Sequence, residues 1–448
     1  MELVPISMRA KERAWAVAAR QDVALLDQIG RAVGEPFHLV HPESFADNLA
    51  AFQQVLRNRQ VRGAVYFGKK ANKAGAWLRE VARLDGSVDV ASIPEFVHAL
   101  ANGIRGDNIG VTGAAKSDDL LWLSARHGAT VAIDALDELE RAIVIAEQTK
   151  ALRVLLRVLP PGAPNSRFGL NHGDLHQALQ HCADKRHLLV MDGFSFHLDG
   201  YAVEPRAQLA FQLIDLCVDA RHQGFAASSI SIGGGFACSY VDDEDWESFK
   251  AALDPTLFHA DKRFSQFYPY HQSPTGADML DAILQMPVGE GAGDETLARR
   301  LTTCEVQLHL EPGRALLDGA GMTVFPVQGF KQNAEHGIVT VAGLSMSLSE
   351  QWKNSEFLPT PLLVQQGAPR PQVPVRAAVG GSSCMEYDVL TWRKIMFPAA
   401  PRHGDLIIYP NTAGYQMDKN ETEFHQLALP PKIVVTQHND RLIWRMDT

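Results

Sequence analysis

The sequence predicts an α/β chain: a (β/α)8 barrel of the TIM type, joined to a separate all-β C-terminal domain. Three observations carry this. Eight short β-branched segments fall at 61–67, 87–91, 108–112, 130–135, 153–159, 191–198, 228–234 and 306–311. Between them run amphipathic stretches such as EFVHALANG, DELERAIVIAEQ and EPRAQLAFQLIDLCVDARHQ, with apolar residues at helical spacing. After them, GMTVFPVQGF, GIVTVAG, VPVRAAVGG, GDLIIYPN and KIVVTQ read as short strands parted by Pro, Gly and Asn turns. Strands that alternate with helices pair in parallel, and eight of them close a barrel whose chemistry sits at the C-terminal strand ends.

The expected organisation has three parts. Residues 1–40 form an N-terminal segment that adds to the β domain, with FHLVHP as its strand. Residues 41–304 form the barrel, including an insertion at about 236–303 near its mouth, where patterning weakens and aromatic, acidic and Gly-rich parts mix. Residues 305–448 hold the last barrel strand and the C-terminal β domain.

Composition narrows the function. The net charge is −10, from 42 Lys and Arg against 52 Asp and Glu, with no clustered basic run, which argues against a nucleic-acid partner. No apolar run approaches the ~20 residues that span a bilayer, and MELVPISMRAKERAW lacks the apolar core of a secretory signal. The five cysteines, Cys182, Cys217, Cys238, Cys304 and Cys384, are scattered, odd in number and free of CxxC. That argues for a reducing, cytoplasmic setting and against a disulfide framework or zinc ribbon, and no metal site is expected.

Five segments suit chemistry. Lys70, in YFGKKANK past the first barrel strand, is either a solvated surface lysine or, desolvated beside a second cation, a Schiff-base amine. Gly233, Gly234 and Gly235 follow a strand in ISIGGGF; this is neither a GxGxxG nor a Walker loop, yet its bare N–H groups suit a phosphate as well as a tight turn. HLEPGR places Glu311, Gly313 and Arg314 at the eighth strand's end. A carboxylate there needs a cationic partner, and a protonated heteroaromatic nitrogen is one. His197 in FSFHLDGY suits a satisfied core position or a stack on a flat cofactor. Cys384 in GSSCMEYDVL is either a small buried hydrophobe or a proton donor.

Together these segments resemble the ornithine/diaminopimelate decarboxylase family of fold-type III pyridoxal-phosphate (PLP) enzymes, which share the alanine racemase-like fold. KKAN, VDVAS, SRFGL, FHLDG, GGGF, EPGR, GSSCMEYD and GDLIIYPNTAGY occur in the family's order across nearly the whole chain. The resemblance implies PLP as cofactor, Lys70 as the Schiff-base lysine because it directly precedes Ala71-Asn72, and Asp89 as an acid beside it. It implies that His197 stacks on the pyridine, that Glu311 binds the pyridine nitrogen, and that Gly233, Gly234, Gly235, Gly313, Arg314 and Tyr415 serve the phosphate. It implies that Cys384 enters the partner subunit's site as proton donor, in a homodimer with shared active sites, and that the substrate is a small-molecule amino acid or citryl-amino acid. Arg167, Glu386 and Asp388 are candidate substrate contacts.

The chain departs from the family pattern at four places. The serine after H-x-G is missing from FHLDGY, Arg167 replaces the lysine of SKFG, AGY stands for GAY, and VAGLSMSLSEQWKN replaces an aspartate-bearing substrate segment. LSEQWKN and NTAGYQMDKNETEF look closest to a carboxylate-siderophore subgroup that decarboxylates citryl-diaminopropionate, as in staphyloferrin B synthesis, with Lys353, Arg393 and Lys394 as candidate cations. The alternatives are a diaminopimelate, ornithine or lysine decarboxylase and an amino-acid racemase.

Overall fold

The computed structural model describes residues 6–34, 36–287, 295–333, 335–348, 355–439 and 441–448. Helices α1 (Ala14–Gln21) and α2 (Val23–Val33) lead into strand β1 (Phe37–Val40) and helix α3 (Pro42–Asn58). Eight parallel strands then close a barrel: β2 (Gly63–Gly68), β3 (Ser87–Val90), β4 (Ile109–Val111), β5 (Thr130–Ile133), β6 (Leu152–Arg157), β7 (Leu189–Ser195), β8 (Ser229–Ser231) and β9 (Gln307–Leu310). β3 and β5 are buried along their full length, as strands covered on both faces must be.

The crossovers are helical. α4 (Gly75–Arg83), α5 (Ile93–Ala101), α6 (Asp118–His127), α7 (Leu136–Gln148), α8 (His172–Asp184) and α9 (Val203–His222) follow β2 to β7 in turn. Between β8 and β9 lie α10 (Asp243–Ala251), α11 (Gly276–Gln285) and α12 (Leu297–Thr303). α11 packs on both α3 and α9, and α3 packs on α4 and β2, so α3, which precedes the first barrel strand, closes the helical ring. The 236–303 stretch is thus only partly additional: α11 and α12, which packs on α9, belong to the barrel wall. Pro42 opens α3 where its missing N–H costs nothing, and Ser44 N donates to His41 Nδ1 at 3.2 Å.

The remaining strands are β10 (Gly321–Gln332), β11 (Gly337–Val341), β12 (Leu362–Val364), β13 (Val375–Gly380), β14 (Val389–Phe397), β15 (Leu406–Pro410), β16 (Lys432–His438) and β17 (Arg441–Met446). With β1 they form a nine-stranded sheet ordered β14-β13-β11-β10-β1-β16-β17, β15 pairing with β10 and β12. β1 runs antiparallel to β10, Phe37 opposite Val324, and parallel to β16. Trp15, Leu26 and Ile29 of the N-terminal helices bury against Phe37, Leu39, Met322 and Ile408 of this sheet. Each such side chain contributes about 2 kcal/mol on burial. A second core runs unbroken from the barrel (Val65, Val88, Val131) into the sheet (Phe325, Val339, Tyr409).

Candidate active site

The C-terminal ends of β2, β3, β8 and β9 converge on one mouth. β2 runs into the tight turn Lys69–Ala71, which the loop after β15 clamps: Tyr415 N donates to Ala71 O at 2.8 Å and Asn72 Nδ2 to Ala413 O at 2.9 Å. The two lysines of this turn part company. Lys69 is 1% exposed, its Nζ donates to Asn72 O at 3.3 Å, and burial draws its pKa down to about 8. Lys70 is exposed to the mouth. Crowding of its ammonium favours the neutral form, but Asp89, Tyr415 and Glu311 outweigh this and hold its pKa above the ordinary lysine value.

Asp89, on β3, accepts a hydrogen bond from Thr112 Oγ1 at 2.7 Å. Burial, then the neighbouring Glu311, push its carboxyl up to about 8. Glu311 follows β9; its Oε1 accepts from Ser231 Oγ of β8 at 2.6 Å, and its N–H donates to Gly233 O at 2.9 Å. A cavity inside the barrel reaches these two acids past Tyr66, Thr130, Leu155 and His309.

The triple glycine lies across the mouth. Gly233 (φ +66°) and Gly235 (φ +77°) take left-handed conformations that disfavour a side chain. A Cβ on Gly233 would lie 2.7 Å from His197 Nδ1, and one on Gly234 would lie 2.8 Å from Glu311 O, so imidazole, glycines and acid form one surface. Burial, then the charges of Lys70, Arg157 and Arg206, pull the His197 pKa down to about 3 and leave the ring neutral. Gly313 is equally confined: a Cβ there would lie 2.8 Å from Tyr415 Oη and 3.0 Å from Ala71 Cβ. Arg314 Nη1 donates to Tyr240 Oη at 3.1 Å and Gly414 O at 3.3 Å, and its guanidinium lies 4.2 Å from the Tyr268 ring centre and 5.0 Å from that of Tyr415.

Other expected residues stand apart from this group. Arg167 is exposed in the loop after β6, stacked on Phe168 at 4.2 Å. Cys384 and Glu386 are exposed between β13 and β14, with Cys384 Sγ 3.3 Å from His425 Nε2. Asp388 is buried and its carboxylate holds the loop: Oδ1 accepts from Ser345 N at 2.7 Å and Oδ2 from Ser383 N at 3.1 Å, which fastens residues 381–388. Arg393 is buried, donating to Leu358 O at 2.8 Å, and Lys394 Nζ donates to Thr256 O at 3.0 Å. Lys353 lies outside the described residues.

Several mouth residues were not singled out from sequence. Arg157, the last residue of β6, pairs with Asp134 at 3.1 Å and lies 4.4 Å from the Phe168 ring centre. A charge ending the apolar run RVLLR was its only signal. Ser231 and Thr112, which orient the two acids, gave no signal, because short hydroxyl residues in strands are ordinary. Tyr240 and Tyr268 come from the stretch read as an insertion.

Comparison with known proteins agrees with this geometry. The family model described as pyridoxal-dependent decarboxylase, pyridoxal binding domain, matches residues 43–268. An uncharacterized protein, y4yA, of Sinorhizobium fredii is 35% identical over 90% of this chain and 88% of its own length. Diaminopimelate decarboxylase of Archaeoglobus fulgidus is 25% identical over 71% of this chain and 70% of its own. Among solved structures, diaminopimelate decarboxylase of M. jannaschii in complex with L-lysine superposes with a TM-score of 0.73 at 17% identity, covering 93% of this chain and 90% of the other. The residues fit PLP: a lysine amine at the mouth, a carboxylate for a ring nitrogen, a neutral imidazole, and a glycine cradle in which a Cβ on Gly233 or Gly234 would clash.

Proposed function

This chain belongs to the pyridoxal-phosphate-dependent decarboxylases of fold type III, and from that premise we propose that it removes the α-carboxylate of a diaminopimelate-, ornithine- or lysine-type amino acid, with Lys70 bearing the cofactor. The observation that carries the assignment of Lys70 is its position at the mouth among Asp89, Glu311 and Tyr415, while Lys69 is buried. The substrate class rests on the diaminopimelate decarboxylases among its relatives.

PLP, once bound, supplies the electron sink for breaking the bond from Cα to the carboxylate. Glu311 would hold the pyridine nitrogen and favour its protonated form, since a nearby anion stabilises a cation. Ser231 fixes the orientation of that carboxylate by occupying Oε1. His197, being neutral, would lie against the ring without repelling its charge. Gly233, Gly234, Gly235, Gly313, Arg314 and Tyr415 would receive the phosphate. Asp89, with its carboxyl raised to about 8, can hold or release a proton beside Lys70 Nζ near neutral pH. Cys384 Sγ would return a proton to Cα. Its exposure in the loop between β13 and β14 favours action on a second copy's site, in a homodimer.

A second reading, citryl-diaminopropionate, draws support from one observation. The described residues 342–348 carry no acid, and Asp388 is occupied by backbone amides, so neither offers an anion to a distal substrate amine. Carbon dioxide release should be measured across meso-diaminopimelate, lysine, ornithine and citryl-diaminopropionate. Turnover of the citryl compound alone overturns the first reading; turnover of the diamino acids alone overturns the second. For Lys70, visible absorbance of the lysine-bound cofactor should appear in the native chain and vanish in Lys70→Ala.

A further inference from the structure

Near the N-terminus of α9, Arg206 is 1% exposed, a setting that a guanidinium tolerates only when its charge is answered. Among the described residues no carboxylate pairs with it: the largest influence on its proton affinity is burial, which lowers the pKa to about 10, followed by the charge of Tyr201. Its partners are carbonyls, Nη1 reaching Ala202 O at 3.1 Å and Nη2 reaching Leu198 O and Gly200 O at 3.3 Å each, while Nε has no partner. A cation at the positive end of a helix dipole is itself unfavourable, and the N-cap, Ala202, has no side chain to relieve it.

These are features of a place where an anion is wanted. Gly235 stands against it: a Cβ there would collide with Arg206 Nη2 and lie 3.0 Å from Gly200 O.

We propose that Arg206 is a positioning residue for the cofactor phosphate: it turns the carbonyls of Leu198, Gly200 and Ala202 toward itself and sets a positive charge behind Gly235. Without it those three carbonyl dipoles lose their partner beside a dianion. This rests on the reading that the triple glycine receives the phosphate.

The test compares PLP with pyridoxal, which has the same ring and aldehyde but no phosphate, on the full chain and on Arg206→Met, Arg206→Lys and Gly235→Ala. Arg206→Met should weaken PLP binding by about tenfold or more and leave pyridoxal binding within about twofold. The phosphorus-31 resonance of bound PLP should be pH-independent in the native chain and titrate in Arg206→Met, with Arg206→Lys intermediate in both measurements. Should Arg206→Met not fold, Arg206→Lys decides: an unchanged PLP-to-pyridoxal ratio overturns the proposal. So does equal loss of both ligands, which marks a purely structural arginine. Gly235→Ala separates the two ideas. If it leaves the ratio unchanged, the glycine-loop reading fails; if it changes the ratio while both Arg206 variants do not, only the Arg206 proposal falls.

Discussion

At the barrel mouth, the charged groups answer one another within one chain: Lys70 sits among Asp89 and Glu311, Ser231 holds Glu311, and Arg314 lies on Tyr268. The 381–388 loop of the sheet is built the other way. Cys384 and Glu386 are exposed, Tyr387 keeps 62% of its surface in water, and only Asp388 is drawn in, to hold the loop's shape. The difference is one of completion. The mouth gathers its charges where a cofactor and a substrate would sit; the loop turns a thiol, a carboxylate and an aromatic ring to solvent.

Five experiments break or sharpen that contrast. The largest effect belongs to the mouth: Lys70→Ala should cut kcat about a thousandfold or more, whereas Lys69→Met, which keeps the buried stem, should change it only severalfold. Stopped turnover assays distinguish the two. Next is the loop: Cys384→Ala should slow turnover about a hundredfold while PLP absorbance stays unchanged. If the loop serves a second copy, mixing the inactive Lys70→Ala and Cys384→Ala chains should restore about a quarter of native activity, since half of the random dimers then hold one intact site of two. Failure to restore any would place Cys384 on its own chain's chemistry or none.

Asp388→Ala should cost about 2 kcal/mol in denaturant unfolding, because two backbone N–H groups lose their acceptor. The smallest effect is a slope. Asp89 has a carboxyl at about 8 in the fold against 3.8 when free, so the folded state binds the extra proton between those values and stability declines as pH rises through them. His197 acts oppositely, depressed from 6.5 to about 3, so its contribution is lost as pH falls below 6.5. Between pH 6.5 and about 8, Asp89→Asn in the cofactor-free chain should therefore flatten the decline of stability with pH.

The strand segments were legible because burial on both faces leaves β-branched runs, and each of the eight barrel strands overlaps one of the segments read from them, with β2, β6 and β7 shifted by one or two residues at an end. β14 and β17 were not, since VLTWRKIMF and RLIWRM are interrupted by charges that the apolar alternation cannot absorb. The N-terminal helices α1 and α2 also escaped notice, although Asp22 caps α2 by accepting from Leu25 N at 3.0 Å. Within the mouth, residues in distinctive motifs were visible, while Arg157, Ser231 and Arg206 were not, because each matters through what packs beside it.

The order of β-branched runs, helical periods and glycine turns determined the barrel, the sheet and the strand ends that face the mouth, because those patterns express short-range backbone preferences and the need to bury apolar faces. Tertiary structure decided which of two adjacent lysines reaches the mouth, that the Asp89 carboxyl holds its proton more tightly than a free one, and which arginine lies buried against backbone carbonyls. Those depend on local dielectric and on groups brought from far along the chain, as when Tyr415 N reaches Ala71 O and fixes the lysine turn.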